Sequence, residues 1–273
     1  LLSLLLPNSF LVGECEQLRS LSRVFRALFD YRNYLSVIKA PFVYVNPIQD
    51  FLQGYILQKG NYPHIVRLQT PIGVNSIEIL NSLDTFTINE IFCWEIYYTD
   101  NQPKVIVDLG SNIGVSQLYF LSRNNSNIVY GFEPVSKLYD QLQNNISKFK
   151  DRAFNQKLAI SNINGTTQMG VENSGRYGGI GVKSESQITV QTIDINFALS
   201  QVLDSHKFID ILKMDIEGLE EIAINSIDLD ILSRIKLIYV EAGDDNKFFP
   251  QNLKKSFKHF SHRGICKYVN TLL

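Results

Sequence analysis

The chain has 273 residues, 45% of them hydrophobic and 19% charged, with a formal net charge of −1. This is globular rather than disordered composition, with room for one α/β domain and an N-terminal extension. A balance so close to neutral gives no general attraction to nucleic acid or to an anionic membrane. Cys15, Cys93 and Cys266 lie far apart without a CxxC or Cys/His cluster, which suggests neither a disulfide framework nor a zinc site and suits a cytoplasmic location. Leu1–Leu6 is apolar but too short to span a bilayer and reads as a packed N-terminal segment.

The first hundred residues differ from the rest. Leu18, Leu21, Phe25 and Leu28 recur at helical spacing, which predicts a helix over roughly 15–38 ending near Ala40–Pro41. Three β-rich runs follow, Gly54–Lys59, His64–Gln69 and Ser76–Leu80, separated by turn chemistry around Gly60–Pro63 and Pro71–Gly73. We expect residues 1–100 to form a helical and β-hairpin cap packed on a main domain at 101–273.

From Lys104 onward, strands and helices alternate. Val105–Asp108, Ile128–Phe132, Ala153–Ile160, Ile209–Asp215 and Leu237–Val240 read as buried strands. Helices are expected after the first two, then from about Leu219 to Ile227 and around Leu253–Phe260. A hairpin including Ile188–Ile193 falls in the polar stretch 161–200, and one last strand lies near Ile265–Val269. This pattern predicts a mainly parallel sheet with helices on both faces, a doubly wound α/β fold whose ligands bind beyond the carboxyl ends of the strands. Only one strand is evident after Leu237–Val240, so the far sheet edge reads as short.

The first strand end reads Asp108-Leu109-Gly110-Ser111-Asn112-Ile113-Gly114. The glycine spacing is G-x-x-x-G, not the G-x-G-x-x-G that brings a pyrophosphate onto a helix N-terminus. A carboxylate directly before the turn disfavours a doubly negative group and suits a cationic ligand bearing an amino group and a sulfonium. Gly110 and Gly114 permit close backbone approach. Glu133, before Pro134 at the second strand end, lies 19 residues after Gly114, where an acid can accept hydrogen bonds from ribose hydroxyls. The fourth strand ends in Lys213-Met214-Asp215-Ile216-Glu217-Gly218-Leu219-Glu220. Glu217 and Glu220 read equally well as caps of the next helix, whereas Asp215 faces the cleft at the end of a central strand. Glu241 ends the fifth strand on the same edge.

With those four blocks in view, VIVDLGSNIG at 105–114, GFEP at 131–134, LKMDIEGLE at 212–220 and YVEA at 239–242, the chain resembles the FkbM family of methyltransferases. The resemblance covers about 105–245. It implies a class I, Rossmann-like fold using S-adenosylmethionine and O-methylation of a hydroxyl on a sugar or natural product. It places Asp108, Gly110, Ser111, Asn112 and Gly114 against the amino-acid portion of the cofactor, Glu133 with Pro134 at the ribose, and Ser161 and Asn162 beside the adenine, where many class I enzymes carry an acid. Glu90–Asp100 resembles the family's lead-in helix.

Methyl transfer to an alcohol needs a base, and Asp215 is the first candidate, with Glu241 second. A divalent metal held by Asp215 with Glu217 or Glu241 is the less favoured alternative. The implied partner is a small-molecule acceptor, with neither nucleic acid nor membrane. An Asn/Asp-Pro-Pro-aromatic run, expected of an amino-methylating enzyme, is replaced here by Asp215-Ile216-Glu217-Gly218. A fold relative without activity and, less favoured, a nicotinamide oxidoreductase are the competing readings.

Outside the motifs, His64, His206, His259 and His262 read as surface residues. Trp94, Tyr97 and Tyr98 read as packing beneath the first strand rather than as an acceptor pocket. Lys254, Lys255 and Lys258 read as a solvated helix face, and Gly175–Gly181 as a lid or a plain hairpin tip.

Overall fold

The computed structural model describes residues 31–57, 60–171, 178–180, 186–216, 218–241, 249–262 and 265–273. The chain divides into two compact units, the first ending at Glu95 and the second running Ile96–Leu273.

In the first unit, helix α1 spans Tyr31–Val43 and contains Pro41. The expected stop at Ala40–Pro41 is thus overrun; Tyr44 donates its N–H to the carbonyl of Ala40 at 2.9 Å, closing a further turn beyond the proline. The part of that expected helix before Tyr31 lies outside the described residues. The run expected as a strand at Gly54–Lys59 instead ends a π-helical segment, Pro47–Ile56. Its buried residues, Asp50, Phe51, Gly54, Tyr55 and Ile56, follow a helical face rather than alternation. Gly54 serves close packing there, since a Cβ would stand 3.3 Å from Cγ2 of Thr85.

Strands β1 (His64–Thr70) and β2 (Gly73–Ile79) form the expected hairpin. Helix α2 (Asp84–Ile88) continues as wider helix through Asn89–Cys93, so the lead-in helix lies earlier than Glu90–Asp100. An aromatic row of Tyr44, Phe51, Tyr55 and Phe86 fills the core, with neighbouring centroids 4.9 to 5.9 Å apart. The hydroxyl of Ser36 accepts hydrogen bonds from Nδ2 of Asn89 and Nε1 of Trp94, which buries the indole in this unit.

The second unit is built on a seven-stranded sheet. Its strands are β3 (Val105–Leu109), β4 (Ile128–Phe132), β5 (Ala153–Gln156), β10 (Ile209–Met214), β11 (Ile235–Val240), β12 (Phe257–His262) and β13 (Ile265–Asn270). Their order is β12-β13-β11-β10-β3-β4-β5, with β13 antiparallel to both neighbours. Between strands lie α3 (Val115–Leu121), α4 (Ser136–Asn145), α5 (Ile195–Ser205), α6 (Glu220–Ser226) and the short α7 (Leu229–Leu232). This is the expected mainly parallel α/β architecture.

Three local expectations are corrected. The third strand candidate splits, because Ala153–Gln156 joins the main sheet whereas β6 (Ala159–Ser161) leaves it. A second sheet of order β6-β9-β7-β8 takes in β7 (Gly165–Val171), β8 (Gly178–Ile180) and β9 (Ser186–Asp194), with β7 and β9 as the expected hairpin. The helix expected at Leu253–Phe260 is a 3₁₀ turn, Gln251–Leu253, followed by β12. Burial alternates there, with Phe257 in and Lys258 out, and the ring of His259 stacks 5.0 Å from that of Tyr268. The hairpin β12–β13 supplies both strands beyond β11, so the sheet edge is complete rather than short. Helix α5 was not evident in the sequence; Asp194 caps it by accepting the N–H groups of Asn196 and Phe197. The lid candidate, apart from Gly178–Ile180, lies outside the described residues.

Alternation decides what the central strands present to each face. Val107, Leu109, Leu212, Met214, Ile238 and Val240 enter one apolar cluster. On the other face the register sets Tyr239, Lys213, Asp108, Gly131 and Asn155 side by side across five strands. A Cβ on Gly131 would stand 1.9 Å from Nε2 of Gln117 and 2.1 Å from Oδ1 of Asn155. Gly131→Ala is therefore expected to overpack the sheet and lower unfolding free energy by about 1–3 kcal/mol, measured by chemical denaturation.

Candidate functional site

The turn after β3 is shaped by three positive φ values, 79° at Gly110, 49° at Asn112 and 93° at Gly114. The N–H groups of Gly110 and Ser111 both donate to the carbonyl of Phe132 at 3.0 Å. The loop leaving β10 presses on the other side, and a Cβ on Gly110 would stand 1.8 Å from the carbonyl oxygen of Asp215. Gly110 is thus required by conformation and by space. The hydroxyl of Ser111 donates to the carbonyl of Asp108 and accepts from Nε2 of Gln117, which also donates to Oδ1 of Asn155.

Glu133 is 5% exposed, and each of its carboxylate oxygens accepts a backbone N–H at 2.9 Å, Oε2 from Asn112 and Oε1 from Val135. Pro134 between them has no N–H, so the bond passes to Val135. Glu133 therefore ties the end of β4 to the β3 turn. Burial pushes its carboxyl up to about 7, against the lowering effect of those two N–H groups.

Asp108 is fully buried. Its Oδ2 accepts the hydroxyl of Ser116 at 2.6 Å, and its Oδ1 lies 3.1 Å from Nζ of Lys213. Lys213, 2% exposed, also donates to the carbonyls of Gly110 at 2.5 Å and Leu109 at 3.3 Å, and stands 3.5 Å from Oδ2 of Asp215. Burial by itself would lower the lysine pKa; Asp108, then Asp215 and Glu241, outweigh it and raise it. In the sequence Lys213 shares a strand face with Asp215 and Glu217 and carries no assigned role. Its signal is a cation inside the buried strand Ile209–Met214, flanked by Leu212 and Met214.

The side chain of Asp215 is 32% exposed, and its N–H donates to the carbonyl of Leu109. Glu220 behaves as a loop brace, its two oxygens accepting the N–H groups of Ile216 and Gly218. Glu217 lies outside the described residues. Glu241 is exposed at the end of β11, where its N–H donates to the carbonyl of Met214. Ser161 stands apart from these contacts: it pairs with Asp194 in the second sheet, and its hydroxyl meets Oδ1 of Asn162 at 3.3 Å.

Other sequence candidates are absorbed by packing. Tyr97 is buried and Tyr98 half exposed. His64 bonds to Asp50 at 2.8 Å and His206 to the hydroxyl of Tyr130 at 3.0 Å, so neither is a plain surface residue. Among the described residues, no group of three or more His, Cys, Asp and Glu side chains could hold a metal ion. No helix among them is long and apolar enough to cross a membrane.

The raised pKa of Glu133 has a definite sign. The folded state holds the proton more tightly than the unfolded chain, so the contribution to stability is full below about pH 4.5. It is lost as pH rises through about 7 and amounts to roughly 3 kcal/mol. Denaturation at pH 5 and pH 8 tests this. Glu133→Gln is expected to lose clearly less stability over that interval than the natural chain.

A family profile described as a methyltransferase FkbM domain matches residues 108–270. No curated protein sequence matches the chain. Similar solved structures include a methyltransferase from Geobacter sulfurreducens, at 16% identity over 63% of this chain and 73% of that one, with a TM-score of 0.36. Methyltransferase FkbM from Methylobacillus flagellatus KT shows 13% identity and a TM-score of 0.41, and the alignment covers 69% of this chain but only 54% of that one. TrmK from M. capricolum, in complex with S-adenosylhomocysteine, shows 14% identity over 68% of each chain, with a TM-score of 0.35. With the matched segment taking in more than half of its residues, from the carboxylate before the glycine turn to the last strand of the sheet, the chain belongs to the family of FkbM methyltransferase domains.

Proposed function

We propose that this chain transfers the methyl group of S-adenosylmethionine to a hydroxyl of a small molecule, a sugar or a natural product. The observation that carries the reading is the convergence of the β3 turn, Glu133 and Asp215 at one edge of the parallel sheet. Gly110 and Gly114 leave the turn without side chains at its two bends, and Glu133 keeps lone pairs beyond the two used by backbone N–H groups. These features fit the cofactor: a bare, acid-flanked turn for the amino-acid portion and a braced carboxylate for the ribose hydroxyls. Asp108, Gly110, Ser111, Asn112, Gly114, Glu133 and Pro134 form this cradle. Asp108, fully buried, acts on it through the turn.

S-adenosylmethionine supplies an electrophilic methyl group on a sulfonium. The protein orients the acceptor and removes its proton. Asp215, part exposed beside the turn, takes that proton, and Glu241 adds negative charge to the same edge. Ser161 sits in the second sheet, so in this reading the adenine contact is made by the β6 end rather than by a carboxylate.

Calorimetric titration with S-adenosylmethionine, S-adenosylhomocysteine and NAD tests the cofactor assignment. The expected result is Kd values of about micromolar for the two sulfur ligands, none for NAD, and loss of both in Glu133→Ala. No binding of either sulfur ligand to the natural chain overturns the reading. For turnover on a hydroxylated acceptor, Asp215→Asn is expected to lower kcat by ~10²–10⁴ with cofactor affinity little changed. Full turnover in that variant removes Asp215 as the base.

A further inference from the structure

Lys213 belongs to none of the cofactor contacts or proton transfers above, yet it meets Asp108, the Gly110 carbonyl and Asp215 at once. It is 2% exposed in a central strand, where an ammonium without compensation would cost several kcal/mol. Parallel register sets it directly opposite Asp108, whose fully buried carboxylate needs a cation equally. A pair of apolar side chains would stabilise such a position as well or better, so stability alone does not account for an ion pair here. What distinguishes this lysine is its reach past the pair. Its Nζ donates to the carbonyl of Gly110, inside the turn, at 2.5 Å and stands 3.5 Å from Oδ2 of Asp215. Gly110 is thereby gripped from both sides, by Lys213 at its carbonyl and by the carbonyl of Phe132 at its N–H.

We propose that Lys213 is the positioning residue of the cofactor turn: it cancels the buried charge of Asp108, clamps the Gly110 carbonyl, and holds Asp215 beside the turn as the base. The proposal rests on the cofactor reading above. An ammonium is suited to this work because it can donate to the carbonyls of Gly110 and Leu109 while its charge reaches both Asp108 and Asp215. The ring of Tyr97, with its centroid 5.8 Å from Nζ, backs the same group.

Two variants of the full chain test it, titrated with S-adenosylmethionine and S-adenosylhomocysteine, which differ by the sulfonium charge. Lys213→Met removes the clamp and one positive charge. It is expected to weaken S-adenosylhomocysteine binding at least about tenfold and to shift preference toward the sulfonium ligand by ~threefold. Asp108→Asn/Lys213→Met removes both buried charges, so its melting temperature is expected to return toward that of the natural chain. With the clamp still missing, its S-adenosylhomocysteine affinity stays about tenfold low and the sulfonium preference returns to the natural ratio. The double variant decides the matter if the single one does not fold. Binding like the natural chain in either folded variant overturns the proposal. So do equal losses for the two ligands in the single variant that the double variant repairs, because Lys213 would then act only on folding. A natural chain that binds neither ligand instead overturns the cofactor reading itself.

Discussion

The whole site hangs on one close approach. The backbone leaving β10 passes so near the β3 turn that only a glycine fits at position 110, where a methyl group would stand 1.8 Å from the Asp215 carbonyl. Parallel pairing of β3 with β10 forces this meeting, since both strands end at the same level and both chains must turn away there. The contact sets the spacing between the turn and Asp215.

Around that contact, three loops are tied by hydrogen bonds rather than by apolar packing. The β4 end reaches the turn through the carbonyl of Phe132 and the carboxylate of Glu133, and the β10 end reaches it through Lys213 and the N–H of Asp215. Polar networks of this kind are directional, so they hold atoms in place where a hydrophobic contact would only hold surfaces together. Their cost is desolvation, visible in the raised pKa values of Glu133 and Glu220. Both carboxylates are satisfied by backbone N–H groups, which is how a buried edge can carry so much acid.

Alternation separates an apolar face of the sheet from a charged one. One face of β3, β10 and β11 contributes Val107, Leu109, Leu212, Met214, Ile238 and Val240 to the main apolar cluster. The other carries Asp108, Lys213 and Tyr239 in a row, with Gly131 next to Asp108 leaving room for the amides of Gln117 and Asn155. A slip of one residue in any of these strands would exchange the two faces, so the apolar cluster also keeps the charged row in register.

The sequence by itself determined the elements whose signal is local. The strands at Val105–Asp108, Ile128–Phe132, Ile209–Asp215 and Leu237–Val240, the G-x-x-x-G turn, and Glu133 and Asp215 at strand ends could be read from apolar runs ended by glycine or acid, because strand burial and turn conformation leave their mark within a few residues. Tertiary structure decided what depends on partners distant in the chain. Phe257–His262 is a strand because β13 is there to pair with it, and Ala159–Ser161 leaves the main sheet because β9 takes it. The lysine in an apolar run was plain in the sequence, but its meaning was not. Asp108 lies more than a hundred residues before Lys213, and only the parallel register of β3 and β10 makes them neighbours.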